Sequence, residues 1–156
     1  MEERTHLQYC NIVWGDANEK AMKPLKNLLN RIVRIMAFAP FERNKAQQFY
    51  DELEVLNLDQ LHKLEKAKFM YKHKNKKLPY KFIEYFREAG EGHRYSLRST
   101  SQENYQPASF KTTYGKRKMK YVGPKIWNEI PFTIKETTSI KSFSGLFKAY
   151  LLNSVV

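Results

Sequence analysis

The stretch Asn57–Lys74, NLDQLHKLEKAKFMYKHK, decides the fold class. Asn57 followed by Gln60 has the form of a capping box, in which the Asn oxygen takes an N–H of the first helical turn. Leu58, Leu61, Leu64, Lys68 and Tyr71 then recur at helical spacing, and Phe69 and Met70 widen the apolar side. The spacing predicts a helix from Asn57 to about Lys74, with Pro79 beyond its end.

Working outward toward the N-terminus, a helix is expected over Lys45–Leu53, with Ala46, Phe49, Tyr50 and Leu53 inward. Before it, Asn18 to about Phe38 carries an apolar stripe of Leu25, Leu28, Leu29, Ile32, Ile35 and Met36. Pro24 suggests that this helix begins near it, where a missing N–H is tolerated, and Pro40 closes the element. Lys23, Lys26, Asn27, Asn30, Arg31 and Arg34 form the opposite, cationic face. Leu7–Trp14 is short and apolar, a helical turn or a strand, and Gly15-Asp16 ends it.

Toward the C-terminus a short helix is expected over Tyr80–Ala89, stopping at Gly90-Glu91-Gly92. Gly90 to about Thr113 is rich in Ser, Thr, Gly, Asn and Gln and reads as a long irregular connection, with short strands at Arg94–Arg98 and Ser109–Thr112. Gly123-Pro124 suits a turn with Pro124 opening a short helix that Pro131 ends. Ser139–Asn153 reads as a capped amphipathic helix whose stripe is Ile140, Phe143, Leu146, Phe147, Tyr150 and Leu151. The fold class is therefore mostly α: a helical domain with a long irregular connection and two short strands. The expected organisation is a helical region over 1–89, the connection over 90–113 and a basic helical region over 114–156, together one compact unit.

Hydrophobic residues make up 42% of the 156 residues and aromatics 14%, far above what a disordered chain carries. Lys+Arg total 28 against 16 Asp+Glu, a net charge of +12. A basic domain of this kind attracts polyanions, nucleic acid before anionic membrane. The final helix has Lys148 as nearly its only interior cation, which fits a membrane surface poorly, so no membrane partner is expected. Cys10, the single cysteine, excludes an intramolecular disulfide and a multi-cysteine zinc site. His6 lies four residues before it, but the pair would leave a tetrahedral site half empty, so a buried thiol is expected instead. No signal-peptide pattern is visible at Met1-Glu2-Glu3-Arg4, and an intracellular setting, nuclear or cytoplasmic, is expected.

Enzymatic signatures are missing. Two-metal chemistry needs clustered carboxylates, and Asp16, Asp51 and Asp59 are unpaired in sequence. Gly90–Gly92 lacks the Lys-Ser/Thr continuation of a phosphate loop, and no nucleophile-elbow pattern occurs. The expectation is a non-catalytic chain with no metal or cofactor.

Cations and aromatics do occur together, as phosphate neutralisation and base stacking require. From Lys66 to Lys81 every charge is positive: Lys66, Lys68, Lys72, Lys74, Lys76, Lys77 and Lys81, interleaved with Phe69, Tyr71, Tyr80 and Phe82. A second cluster holds Lys111, Lys116, Arg117, Lys118, Lys120 and Lys125, with Tyr114, Tyr121 and Trp127 among them. The lysines are expected to face phosphate, Lys72, Lys74, Lys76, Lys77 and Lys118 included, while Phe69, Tyr71 and Trp127 are expected in the core. No bidentate base reader stands out, so no sequence specificity is expected.

His6-Leu7-Gln8-Tyr9-Cys10-Asn11-Ile12-Val13-Trp14-Gly15 resembles a segment that follows the polymerase core in reverse transcriptases of LINE-type, jockey-like non-LTR retrotransposons. Further along, Leu25–Met36 with Arg31-Ile32-Val33-Arg34-Ile35 at its centre, Lys77-Leu78-Pro79 and His93-Arg94-Tyr95-Ser96-Leu97-Arg98 follow in the family's order. Gly123-Pro124-Lys125-Ile126-Trp127-Asn128-Glu129-Ile130-Pro131 and a final Ser142-Phe143 helix complete a resemblance running from His6 to Leu151. The family implies magnesium-dependent, target-primed DNA synthesis on an RNA template in the nucleus. The part that would hold the metal-binding aspartates, and any endonuclease, is not in this sequence. What remains resembles the thumb and the region beyond it, which implies a grip on template–primer duplex. The resemblance carries that contact to Lys26, Arg31, Arg34, Arg98, Lys116, Arg117 and Lys125. Two roles follow: a module binding RNA, DNA or their hybrid, or a packing module for a polymerase core supplied by a longer chain.

Overall fold

The computed structural model describes residues 9–38, 46–89 and 104–154. Among these the chain is mostly helical: α1 (Asn11–Trp14), α2 (Glu19–Met36), α3 (Ala46–Glu52), α4 (Leu58–Lys74), α5 (Met119–Glu129), α6 (Phe132–Lys135) and α7 (Ile140–Asn153). Two short strands, β1 (Arg87–Glu88) and β2 (Tyr105–Gln106), pair antiparallel, with Arg87 opposite Gln106 and Glu88 opposite Tyr105. The chain forms two compact units, residues 1–64 with 148–156 and residues 65–147.

In the first unit the capping box forms as the sequence predicts. Asn57 N donates to Gln60 Oε1 and Gln60 N donates to Asn57 Oδ1, both at 2.9 Å. The buried Gln60 side chain also donates through Nε2 to the Leu151 carbonyl at 3.1 Å, so one amide starts α4 and takes up a carbonyl late in α7. Met22, Val33, Tyr50, Leu58, Leu64 and Leu151 supply the buried apolar side chains of this unit. Leu7–Trp14 resolves as a helical turn over its described residues, α1, and Trp14 Nε1 donates back to the Tyr9 carbonyl at 2.8 Å. Gly15 follows because a Cβ there would fall onto the His62 ring. Cys10 is not the buried thiol expected: it is the left-handed N-cap of α1, at φ 50°, at the outer start of that turn, and it is exposed.

The second helix departs from expectation in two ways. It starts at Glu19, with Asn18 Oδ1 accepting from Lys20 N at 3.3 Å, so Pro24 lies inside it. More consequentially, its most buried positions lie beside the apolar stripe rather than along it. Met22 and Val33 are buried; Leu25 and Leu29 of the stripe and Lys26, Asn30 and Arg34 of the polar face are half-buried. Leu28 is 53% exposed, Ile32 42%, Ile35 65% and Met36 53%. On this side Lys26 Nζ lies 2.9 Å from Asp59 Oδ2 and 3.5 Å from Glu19 Oε1, so its charge is compensated where it is half-buried.

The second unit is built on rings. Tyr71, Trp127 and Phe143 are fully buried. Tyr71 stacks on Phe143 at 4.6 Å between centroids, Trp127 on Phe143 at 6.0 Å and Phe143 on Phe147 at 5.9 Å. The Tyr71 hydroxyl donates to the Thr137 carbonyl at 2.6 Å, which satisfies the polar end of an otherwise apolar contact. Tyr71 and Trp127 are therefore core residues, as expected, while Phe69 is half-buried. The helix expected over Tyr80–Ala89 is instead a 3-10 turn at Tyr80–Phe82 followed by β1. Phe86 turns inward against Phe69, His73 and Tyr105, and pairing with β2 then satisfies the backbone that a short helix would have used.

The strand expected at Ser109–Thr112 is absent, and the strand of this region lies earlier, at Tyr105–Gln106. Thr112 is used as a turn residue: its Oγ1 accepts from Gly115 N at 3.1 Å and its carbonyl from Lys116 N at 3.1 Å. The expected strand at Arg94–Arg98 lies outside the described residues. Pro124 does not open a helix either; it is buried inside α5. Lacking an N–H, it leaves the Lys120 carbonyl available, and Ala108 N donates to that oxygen at 3.1 Å. Four residues on, Asn128 clamps β2: Tyr105 N donates to its Oδ1 at 2.9 Å and its Nδ2 donates to the Tyr105 carbonyl at 2.8 Å.

Candidate nucleic-acid interface

The cations named from sequence fall on both units, and their surroundings differ. In the first unit, Lys26, Arg31 and Arg34 all lie on α2. Lys26 is held by Asp59 and Glu19, and the hydrogen bond to Asp59 raises its pKa above the ordinary lysine value against a smaller lowering by burial. Arg34 is half-buried near Tyr50, whose phenol is pushed up by burial while the Arg34 charge opposes the rise. Arg31 is exposed. The three do not present a common open face.

In the second unit the first cluster surrounds the C-terminal end of α4. Lys72, Lys76, Lys77 and Lys81 are exposed, and none makes an ion pair among the described residues. Lys74 is half-buried and donates to the Lys135 carbonyl at 3.1 Å, and Lys68 pairs with Glu65 at 2.8 Å. Lys66, counted with the surface cations in sequence, is buried. The chain leaves α4 through a Schellman arrangement, Lys77 N to Lys72 O at 2.8 Å and Lys76 N to His73 O at 2.9 Å, with Lys76 left-handed at φ 53°. Positive charge at this helix end favours the macrodipole, so part of this cluster has a structural use.

The second cluster has no such use. Lys116 and Arg117 lie in a 3-10 turn (Gly115–Arg117) that leads directly into α5, and Lys118 is the N-cap of that helix. Lys118 gives no side-chain cap, and the first turn holds no acidic residue. Lys111, Lys116, Arg117, Lys118, Lys120 and Lys125 are all exposed, and none is ion-paired among the described residues. Cations at the positive end of a helix dipole cost stability, typically about 0.3–1 kcal/mol each. Aromatic rings share the site. Lys118 Nζ lies 5.7 Å from the Phe110 centroid and 6.0 Å from Tyr114, Lys125 Nζ 4.5 Å from Tyr121, and Lys120 Nζ 4.7 Å from Tyr85. The Lys125 ammonium also holds the Tyr121 phenol beside it below its usual pKa range.

The turn that carries this cluster is tightly defined. Gly115 is buried, and a Cβ there would come within 2.7 Å of Phe110 Cβ, so glycine is needed for the close approach. Gly123 likewise lets α5 approach Met70 of α4. Within Gly123–Pro131, Gly123, Pro124, Ile126, Trp127 and Ile130 are buried and Asn128 holds β2, so that motif is mostly packing, with Lys125 as its exposed cation. Sequence reasoning missed two residues that shape the site, Asn128 and the buried Lys135, which donates to Asn104 Oδ1 at 2.9 Å beneath the Trp127 ring. Arg98 lies outside the described residues.

Among the described residues no group of three His, Cys, Asp or Glu side chains is placed to hold a metal ion, and no helix is long and apolar enough to cross a membrane. Comparison with protein-family models, curated proteins and solved structures finds no match to this chain.

Proposed function

We propose that this chain is a non-catalytic nucleic-acid-binding module, the thumb and post-thumb part of a non-LTR retrotransposon reverse transcriptase, and that it grips template–primer duplex. The observation that carries the reading is the second cluster: exposed cations without ion-pair partners, on the end of α5 whose dipole disfavours them. Such an arrangement lowers the stability of the free protein and is relieved when phosphate arrives. Contacts from such cations go to phosphates, which carry no base identity, as a backbone grip requires.

The test is fluorescence anisotropy of the full chain with a labelled RNA–DNA hybrid across a salt series. If about six phosphates are neutralised, the log–log slope should be near −5. Lys116→Glu with Arg117→Glu should weaken binding and flatten that slope by about 2. Binding that does not depend on salt, or none at low salt, refutes the proposal.

A second reading has its own observation. The α2 stripe, with Leu28, Ile32, Ile35 and Met36 exposed, is an apolar helix face with the composition of a packing surface. It favours a packing module whose partner is a polymerase core on a longer chain. Self-association of the isolated protein, relieved by Ile32→Lys and Ile35→Lys, supports that reading; a monomer indifferent to both substitutions refutes it.

A further inference from the structure

We propose that the second unit takes single-stranded nucleic acid, with Tyr80 and Tyr114 as rings on which unpaired bases stack. The inference rests on the nucleic-acid reading above and adds, beside the gripped duplex, an unpaired stretch of strand and the residues that stack on it. Tyr114 is 74% exposed and Tyr80 76%, in a unit where Tyr71, Phe86, Tyr105, Trp127 and Phe143 are buried, Phe69, Phe82, Tyr85, Phe110 and Tyr121 half-buried, and Phe132 40% exposed. Leaving a phenol ring in water forgoes burial worth on the order of 1.5–3 kcal/mol for a large apolar side chain.

Each ring is mounted on a short defined turn. Tyr80 begins the 3-10 turn after Pro79, whose fixed φ of −54° sets the entry, and Phe82 N closes it onto the Pro79 carbonyl at 2.9 Å. Tyr114 immediately precedes the turn that Thr112 caps and Gly115 seats against Phe110. Each turn fixes where its ring leaves the surface, and stacking on a ring suits bases of any identity.

Phosphate partners flank both rings. Lys77 and Lys81 bracket Tyr80, and Lys111, Lys116, Arg117 and Lys118 bracket Tyr114, with Lys118 Nζ already 6.0 Å from the Tyr114 centroid. The two clusters meet where Lys120 lies over Tyr85, so cations of α5 adjoin the segment that carries Tyr80. A duplex hides the faces of its bases in the stack, so only a single strand can use both the rings and the charges.

The experiment compares the full chain on a labelled oligothymidylate of about 12 nucleotides and on a duplex of equal length. Tyr80→Ala and Tyr114→Ala should each weaken oligothymidylate binding about five- to hundredfold, with duplex binding and both salt slopes unchanged. Tyr114→Phe, which keeps the ring, should bind as the unaltered chain does. Alanine variants that bind oligothymidylate normally, or that lose both probes equally, overturn the inference while leaving the nucleic-acid reading in place. Absence of binding to either probe at low salt, in contrast, removes the nucleic-acid reading itself.

Discussion

At the residue scale, single polar side chains hold elements that apolar packing alone would leave loose. Asn128 is the plainest case, because its amide satisfies both backbone groups of the buried Tyr105. Asn128 is exposed, so water can partly replace its amide in Asn128→Ala, and we expect a loss of about 1–2 kcal/mol in urea unfolding. Asn128→Asp keeps the acceptor alone and should lose part of that. Lys26 gives a pH signature. Its folded pKa is raised, so its ion pairs add stability below the unfolded value of 10.5, and that stability is lost as pH climbs through the higher folded value. Lys26→Met keeps the aliphatic stem. Near pH 7 it should cost about 0.5–1 kcal/mol, and the gap from the unaltered chain should close in alkaline unfolding series above pH 10.5. The identity of these cations was legible in the sequence; their partners were not, since Asp59 is distant from Lys26 in the chain and only the packing of α2 brings them together.

At the element scale, helix interiors were easier to read than helix ends. The capping box and the spacing of Leu58, Leu64 and Tyr71 located α4 because local chemistry specifies a helix start. Its end, and that of α3, carried no glycine signal. Glu54 at φ 51° and Lys76 at φ 53° take the left-handed position that glycine usually fills. After α3 the Val55 N–H reaches the Tyr50 carbonyl at 2.9 Å, the same closure that Lys77 makes after α4. Glu54→Gly and Lys76→Gly should each stabilise the fold by about 0.5–1 kcal/mol, seen as a higher urea midpoint with an unchanged m-value. Pro24 and Pro124 misled for a related reason. Both sit inside helices, and α5 keeps Pro124 because the freed Lys120 carbonyl is taken by Ala108. That compensation is a tertiary contact and leaves no local trace.

At the scale of the whole molecule, the net charge of +12 is unevenly used. On α2 Lys26 is already compensated, whereas the turn before α5 leaves Lys116, Arg117 and Lys118 exposed and without ion pairs among the described residues. Lys26→Met should therefore leave the salt slope of hybrid binding nearly unchanged, while reversing the Lys116 and Arg117 pair should change it by about 2, as anisotropy titrations would read. Sequence by itself determined the helical class, the start of α4, the cation-rich clusters and the burial of Tyr71 and Trp127, because composition, capping and periodicity are local properties of the chain. Only the tertiary structure decided which face of α2 is buried, where the short strands pair, and which lysines are exposed rather than buried like Lys66 and Lys135. Periodicity shows that a helix has an apolar stripe, but burial depends on what packs against it. For α2 the seats of Met22 and Val33 set the inner face beside the stripe, where Lys26 meets Asp59, and Leu28, Ile32 and Ile35 are left facing water.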